Sequence, residues 1–387
     1  MVDAIAEKTE RPSAPAPITL FLAGDIMTGR GIDQTLPHPS SPELYEPVVK
    51  DARRYVELAE RAHGKLELPL TPSYIWGDAL AVLERAAPDA RIANLETAVT
   101  TSDEAWPDKS IHYRMHPKNI GCLTVLGLDC VALANNHVLD WGYPGLAETL
   151  DVVRRAGIRV AGAGRTLKEA AAPAIVPIEG KGRVLVFGLG SPTSGIAPAW
   201  AAGEGRAGVH LLAREPMESL PAIRATIAAT KRPGDVVVAS IHWGGNWGYA
   251  VSSEQKTFAH ALVAEAGVDV VHGHSSHHPI GIEVYEGRLI VYGAGDFYND
   301  YEGIGGYEQF RGDLALMYLA RVQPATGRLL GLDMVPFKLR RFRLERAAPG
   351  DAAWLAETLS RASEGLGTSV KVEEGGRLEL VWKEAGD

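Results

Sequence analysis

Residues 18–27 read Ile-Thr-Leu-Phe-Leu-Ala-Gly-Asp-Ile-Met. The apolar run over 18–23 stops at Gly24-Asp25, as a buried strand does. The same device recurs along the chain. Residues 90–95 form a second apolar run that closes on Glu96, and residues 131–134 run into Asn135-Asn136-His137. Residues 236–241 end at His242, and 268–271 run into His272, His274, His277 and His278. Further apolar runs cover 160–163 and 184–189. Helical periodicity lies between them, over 79–87, 119–126 and 143–156 and near 215–230 and 254–266. Alternation of this kind predicts stacked βα units around a largely buried sheet, an α/β fold. After Gly281 the pattern turns to strands, over 282–285, 289–292, 314–322 and 329–337, then a basic-apolar alternation over 338–346 read as one exposed strand. A helix near 351–362 and a strand near 377–382 finish the chain.

The chain has 387 residues, 46% apolar and 22% charged, the balance of a globular protein able to bury a large core. Its net charge of −9 argues against a nucleic-acid surface, which needs clustered cations. Two cysteines, Cys122 and Cys130, are too few for a disulfide framework or a cysteine-rich zinc module and read as core thiols. Residues 1–17 carry acids, bases and three prolines without an apolar stretch, so they read as a disordered leader rather than a secretion signal. No window is long and apolar enough to suggest a membrane span, and the expected address is the cytoplasm. Residues 18–345 are expected to form one large domain with a proline-rich insertion over 28–76, and 346–387 a helix and strand appended to it. An insertion that follows directly on a strand's C-terminal end usually shapes a site.

The polar clusters sit at the C-terminal ends of the predicted strands, where ligands gather in open α/β sheets. Asp25, Glu96, Asn136, His242 and the run His272-Gly-His274-Ser-Ser-His277-His278 would therefore converge. Carboxylate and amide oxygens with imidazole nitrogens make up the donor set of a mixed oxygen–nitrogen site for divalent metal. One or two ions fit this pattern, with Mn, Fe, Zn, Ca and Mg all compatible. Trp243, Trp247 and Tyr249 read as the aromatic wall of a cleft for an organic substrate. Arg30 and Arg114 could clamp a carboxylate or phosphate of a small-molecule or peptide substrate. A single chain says nothing of oligomeric state.

The ordered series Gly24-Asp25-Ile26-Met27, Asn94-Leu95-Glu96, Asn135-Asn136-His137-Val138-Leu139-Asp140, His242-Trp243-Gly244, Gly273-His274-Ser275-Ser276-His277 and Gly295-Asp296-Phe297 resembles the CapA type of poly-γ-glutamate synthesis proteins, a branch of the calcineurin-like metallophosphatase superfamily. The resemblance spans roughly 18–320. It implies a four-layer αββα sandwich of two mixed sheets flanked by helices. It also implies that Asp25 binds one metal, that Glu96 bridges two, and that Asn136, His242 and His274 bind the second while His277 returns to the first. His137 would be the acid/base imidazole, and Asp140 would orient or charge-stabilise a nearby imidazole. Met27 stands where the phosphatases proper have histidine. Asp296 replaces the family's usual asparagine and adds a titratable, candidate catalytic carboxylate.

Three functions follow. The first is a metal-dependent hydrolase that cleaves a phosphoester or a peptide or γ-glutamyl amide with metal-activated water and acid/base help from His137. The second is a metal-assisted peptide Cα epimerase of the kind recruited to lasso-peptide biosynthesis, motivated by the altered ligand set, Asp296 and the aromatic wall. The third is a non-catalytic subunit of poly-γ-glutamate synthesis.

Overall fold

The computed structural model describes residues 16–383. Most of the leader expected over 1–17 therefore lies outside the described residues. Two large sheets dominate. In the ten-stranded sheet the strands Thr368–Val372, Leu378–Trp382, Leu329–Arg340, Leu314–Val322, Ile18–Ile26, Ala90–Leu95, Cys130–Ala132 and Arg159–Ala161 lie side by side in that order. The six-stranded sheet runs Ile282–Tyr285, Arg288–Val291, Val270–His274, Val236–His242, Gly182–Gly190 and Ala174–Ile178. Both are mixed: Ile18–Ile26 pairs parallel with Ala90–Leu95 and antiparallel with Leu314–Val322.

Side-chain alternation places the layers. Leu20 and Leu22 of the first strand join Val184, Val186, Val236, Val238 and Val270 of the other sheet in one core between the sheets. Phe21 and Ala23, pointing the other way, pack with Trp76, Ala79, Leu83, Leu123 and Leu146 from the helices that cover the large sheet. Leu185, Phe187 and Leu189 likewise face Ile223, Ile227, Phe258 and Leu262 on helices Leu220–Thr230 and Ser253–Ala264. A period of two thus buries both faces of both sheets, with about 1.5–3 kcal/mol from each large apolar side chain. The result is the mixed α/β sandwich expected, helices outside and sheets within. Both cysteines are buried and free in this core.

Three details depart from the sequence reading. Residues 338–346 are not one strand: Leu329–Arg340 ends, Arg341 and Phe342 turn, and Arg343–Arg346 pairs back on it. The turn places two non-glycine residues at positive φ (54° and 50°), which ordinary turn signals do not announce. Glu302 holds it by accepting from the amides of Arg341 and Phe342 at 2.6 and 2.9 Å. The strand Thr368–Val372 and the three-residue strand Asp296–Tyr298 were also not anticipated. No helix among the described residues is long and apolar enough to cross a membrane.

Candidate metal centre

The parallel strands of both sheets deliver their C-terminal ends to one place. Asp25 is paired in register with Asn94 on one side and Asp296 on the other. His242 and His274 are register partners on adjacent strands of the second sheet. Two glycines permit the close approach. A Cβ on Gly24 would lie 1.8 Å from the Gly295 carbonyl, and one on Gly273 would lie 2.4 Å from that of Tyr292. Ser275, directly after His274, takes φ 103°, a strained conformation for a serine. That conformation lets its amide donate to Asp25 Oδ2 at 3.1 Å.

The side chains connect in a chain of short contacts. Asp25 Oδ1 is 3.6 Å from His274 Nδ1, His274 Nδ1 is 2.9 Å from His242 Nδ1, and His242 Nε2 is 3.1 Å from Asn136 Oδ1. Metal–ligand bonds of about 2.0–2.2 Å put neighbouring ligand atoms about 3–4 Å apart, so Asp25 and the Nδ1 atoms of His274 and His242 can share one ion, whereas Asn136 faces the opposite ring nitrogen of His242 and lies outside that triad. Two groups have a ligand atom from each member within 4.8 Å of the others: Asp25, His242 and His274, and Asp25, His277 and Asp296. The Asp25 carboxylate belongs to both. Glu96 belongs to neither, although it was the expected bridge. It follows the end of its strand, and its Oε1 lies instead 3.6 Å from His242 Nε2 and 3.7 Å from His137 Nε2.

The electrostatics fit a cation. Burial, then the neighbouring Asp296, pushes the Asp25 carboxyl up to about 7. Burial, then Asp25 and Asp296, holds Glu96 well above the usual carboxyl range, and its Oε2 is buried without a hydrogen-bond partner. Burial, reinforced by neighbouring imidazoles, pulls His242 and His274 well below the usual histidine value, so both offer lone pairs at neutral pH. Burial would lower His277 too, but Asp296 overrides it and raises it.

His137 stands beside this cluster. Its Nδ1 is 2.7 Å from Asp140 Oδ2, and its ring meets Tyr113 edge-on at 4.5 Å. Lys109 Nζ lies 2.6 Å from Asp140 Oδ1 and 3.1 Å from His137 Nδ1. The ammonium is used on Asp140 and on the Ile111 carbonyl at 2.7 Å, so we assign the Nδ1 proton to His137, donating to Asp140. Burial, opposed only in part by Asp140, lowers His137 to about 4, leaving Nε2 a free acceptor at neutral pH. Lys109 could not be found from sequence, because it lies in a loop without periodicity. Asn94, which donates to Asp25 Oδ1 at 2.7 Å, was part of a quoted motif but had been given no role.

A cavity of about 510 Å³ opens beside the centre, walled by Tyr113, Asn246, Trp247, His277, Tyr301 and Tyr307 among others. Trp247 stacks on Tyr307 with centroids 4.2 Å apart, and Tyr301 Oη is 3.3 Å from His277 Nε2. The other expected substrate contacts lie in different places. Trp243 is buried, donates from Nε1 to the Tyr292 carbonyl at 2.8 Å and stacks on that ring, so it is core rather than wall. Arg114 does not line this cavity: it lies over the Trp141 ring at 3.8 Å and pairs with Asp103 at 2.7 Å. Tyr249 packs on His278 and Phe310 and faces a separate groove with Lys256 and Arg361. Arg30 reaches the cavity wall, yet it is buried and bound to Asp300 and Glu46, between the rings of Tyr55 and Tyr113. Asp296, expected as a catalytic carboxylate, sits among the candidate ligands.

Residues 19–301 match the family described as bacterial capsule synthesis protein PGA_cap. The chain belongs to this family. It is 46% identical over 369 residues to a probable polyglutamine synthesis accessory protein of Mycobacterium tuberculosis, covering 95% of this chain and 97% of the relative. It is 29% identical over 326 residues to the PGA biosynthesis protein CapA of Bacillus subtilis, covering 80% of this chain and 70% of that one. It is 26% identical over 299 residues to the capsule biosynthesis protein CapA of Bacillus anthracis, covering 75% and 64%. The CapA-type resemblance read from the motifs is thus borne out, and the PGA_cap chain carries a cluster of Asp and His able to hold metal.

Proposed function

We propose that this PGA_cap protein is a divalent-metal-dependent hydrolase that cleaves an amide or phosphoester bond in the metabolism of a glutamyl polymer. The observation that carries this reading is the buried Asp25 carboxylate within ligand reach of His242 and His274, beside a cavity large enough for an organic substrate. Asp25, His242 and His274 would hold the ion, with the unpartnered Oε2 of Glu96 nearby and the Asn136 amide oxygen on the far ring nitrogen of His242. A bound divalent cation polarises a carbonyl or phosphoryl oxygen and acidifies water. The remaining work falls to the chain. Asp140 fixes the His137 tautomer, and Lys109 keeps Asp140 ionised. His137 Nε2 then takes up a proton and returns it to the leaving group. Tyr113, Trp247 and Tyr307 orient the substrate and exclude water from one side. Residues 18–345 would form the catalytic domain, with 346–387 appended.

The polymer context rests on the relatives' names, and the word accessory in one of them favours a second reading, a non-catalytic subunit of a synthesis assembly. Manganese- or zinc-loaded protein assayed on γ-glutamyl peptides and aryl phosphates separates the two. The hydrolase reading expects turnover that falls about 10²–10⁴-fold in His137→Ala. No turnover on either class, with stable capture of a synthetase instead, would establish the accessory role. Deuterium entering a peptide Cα without cleavage would point to the epimerase.

A further inference from the structure

Resting on that metal reading, we infer that Ser240 and His272 are positioning residues, a buried relay behind His274 that fixes its ring proton on Nε2 and holds its Nδ1 lone pair toward the cation. The two residues are register partners on the strands Val236–His242 and Val270–His274, one step of the pleat below the partners His242 and His274. A strand repeats its face every second residue, so all four side chains lie on the face that turns Val238 and Val270 into the core between the sheets. Ser240 and His272 are both 0% exposed and interrupt that apolar surface. Buried polar groups are costly unless they belong to a satisfied network.

The distances supply the network and its direction. His274 Nε2 is 3.0 Å from Ser240 Oγ, and Ser240 Oγ is 3.1 Å from His272 Nδ1. His272 Nε2 is buried without a well-formed hydrogen bond, and the backbone carbonyl of Ala23 is the acceptor offered to this ring. A carbonyl only accepts, so the His272 proton sits on Nε2 and Nδ1 accepts from the Ser240 hydroxyl. The serine has one proton to give, so its oxygen accepts from His274 Nε2. His274 Nδ1 is then a lone pair, 2.9 Å from His242 Nδ1 and 3.6 Å from Asp25 Oδ1. Run the other way, the relay would put a proton on His274 Nδ1, in the place of the ion.

His242 is set by a different group. Asn136 Oδ1 stands 3.1 Å from its Nε2, and an amide oxygen also only accepts, so the His242 lone pair falls on Nδ1 as well. Two imidazole lone pairs and a carboxylate thus face one another, each ring oriented from behind as a metal-ligating histidine requires. Ala23 lies two residues before Asp25, so the relay also ties His274 to the strand that supplies the carboxylate.

The experiment is long-range proton–nitrogen NMR on the metal-free full chain labelled with ¹⁵N-histidine, at about pH 7.5, followed by zinc titration of the same samples. The His274 ring, assigned by its loss in His274→Gln, is expected as the Nε2–H tautomer. Ser240→Ala should mix the two tautomers and weaken zinc binding about 10–100-fold, the usual cost of losing a group that orients a ligating imidazole. Ser240→Thr restores the hydroxyl and should return both readings to those of wild type. His272→Phe keeps a ring but offers no acceptor and should act like Ser240→Ala, and either variant suffices if the other fails to fold. An Nδ1–H tautomer of His274 in wild type would overturn the inference. So would a tautomer, or a zinc affinity, that Ser240→Ala and His272→Phe both leave within twofold of wild type. A wild-type chain that holds His274 as Nε2–H, loses that tautomer in Ser240→Ala and binds no zinc or manganese would bear out the relay and overturn the metal function instead.

Discussion

Two buried acidic clusters, built around Asp296 on a short strand and Asp300 just beyond it, are balanced in opposite ways. Asp300, with Glu46, has its own counterion in Arg30, whose guanidinium is sandwiched between Tyr55 and Tyr113. Asp296, with Asp25 and Glu96, has imidazoles and amides around it but, among the described residues, no arginine or lysine in salt-bridge contact. The first cluster is complete as the polypeptide folds. In the second, burial and then the neighbouring carboxylates raise the Asp25 and Glu96 carboxyls, which leaves the chain itself an unfinished electrostatic structure. One cluster is therefore architecture that anchors the insertion to the cavity wall, and the other is the cluster to which we assign the proposed cation.

The largest test of this contrast is Arg30→Met. It strands Asp300 and Glu46 as buried charges and should cost about 3–5 kcal/mol in chemical denaturation, because removing one partner of a buried pair leaves the other uncompensated. Asp25→Asn in metal-free buffer should behave oppositely and leave stability unchanged or raised, since it removes a repulsive charge. A cost for Asp25→Asn as large as that of Arg30→Met would erase the distinction.

Next in size is the response to metal. Manganese at 100 times its dissociation constant should stabilise the wild type by about 2.7 kcal/mol and Asp25→Asn hardly at all. The sign of the pH dependence follows from Asp25, whose folded value of about 7 lies above the ordinary 3.8. Its contribution to metal-free stability is full below about pH 4 and is lost as pH rises through 7. Cation binding needs the deprotonated carboxylate, so the thermal shift on adding manganese should be small at pH 5 and larger at pH 8. A shift that shrinks with rising pH would contradict this.

Smaller again is Lys109→Met, which leaves Asp140 without its ammonium partner. It should cost about 1–3 kcal/mol and raise the His137 pKa above its value near 4, read by NMR titration of the imidazole. The smallest expected effect on stability is Tyr307→Ala. The ring is 48% exposed, and losing its stack on Trp247 should cost about 0.5–1.5 kcal/mol while weakening substrate binding more.

What the sequence disclosed follows the same division. Strands flanked by polar residues were legible because burial on both faces writes continuous apolar runs, and the residues that end them, Asp25, His242 and His274, come together. The placement of Asp296 beside Asp25 was hidden: a three-residue strand has no period, and its pairing with Asp25 is a backbone fact. Trp243 and Trp247 stand four residues apart in a glycine-rich loop, and nothing in their spacing tells the buried ring from the cavity wall. The hairpin at Arg341-Phe342 was equally silent, since Glu302, distant in sequence, takes the place of the usual turn residues.

The central claim, that Asp25, His242 and His274 share a cation, is tested most directly by diffraction at the manganese or zinc absorption edge from crystals grown with that metal. The account predicts an anomalous peak bonded at about 2.0–2.3 Å to the Asp25 carboxylate and to one nitrogen each of His242 and His274. A metal-saturated crystal whose anomalous density lies elsewhere, with those three side chains holding only one another, would contradict it.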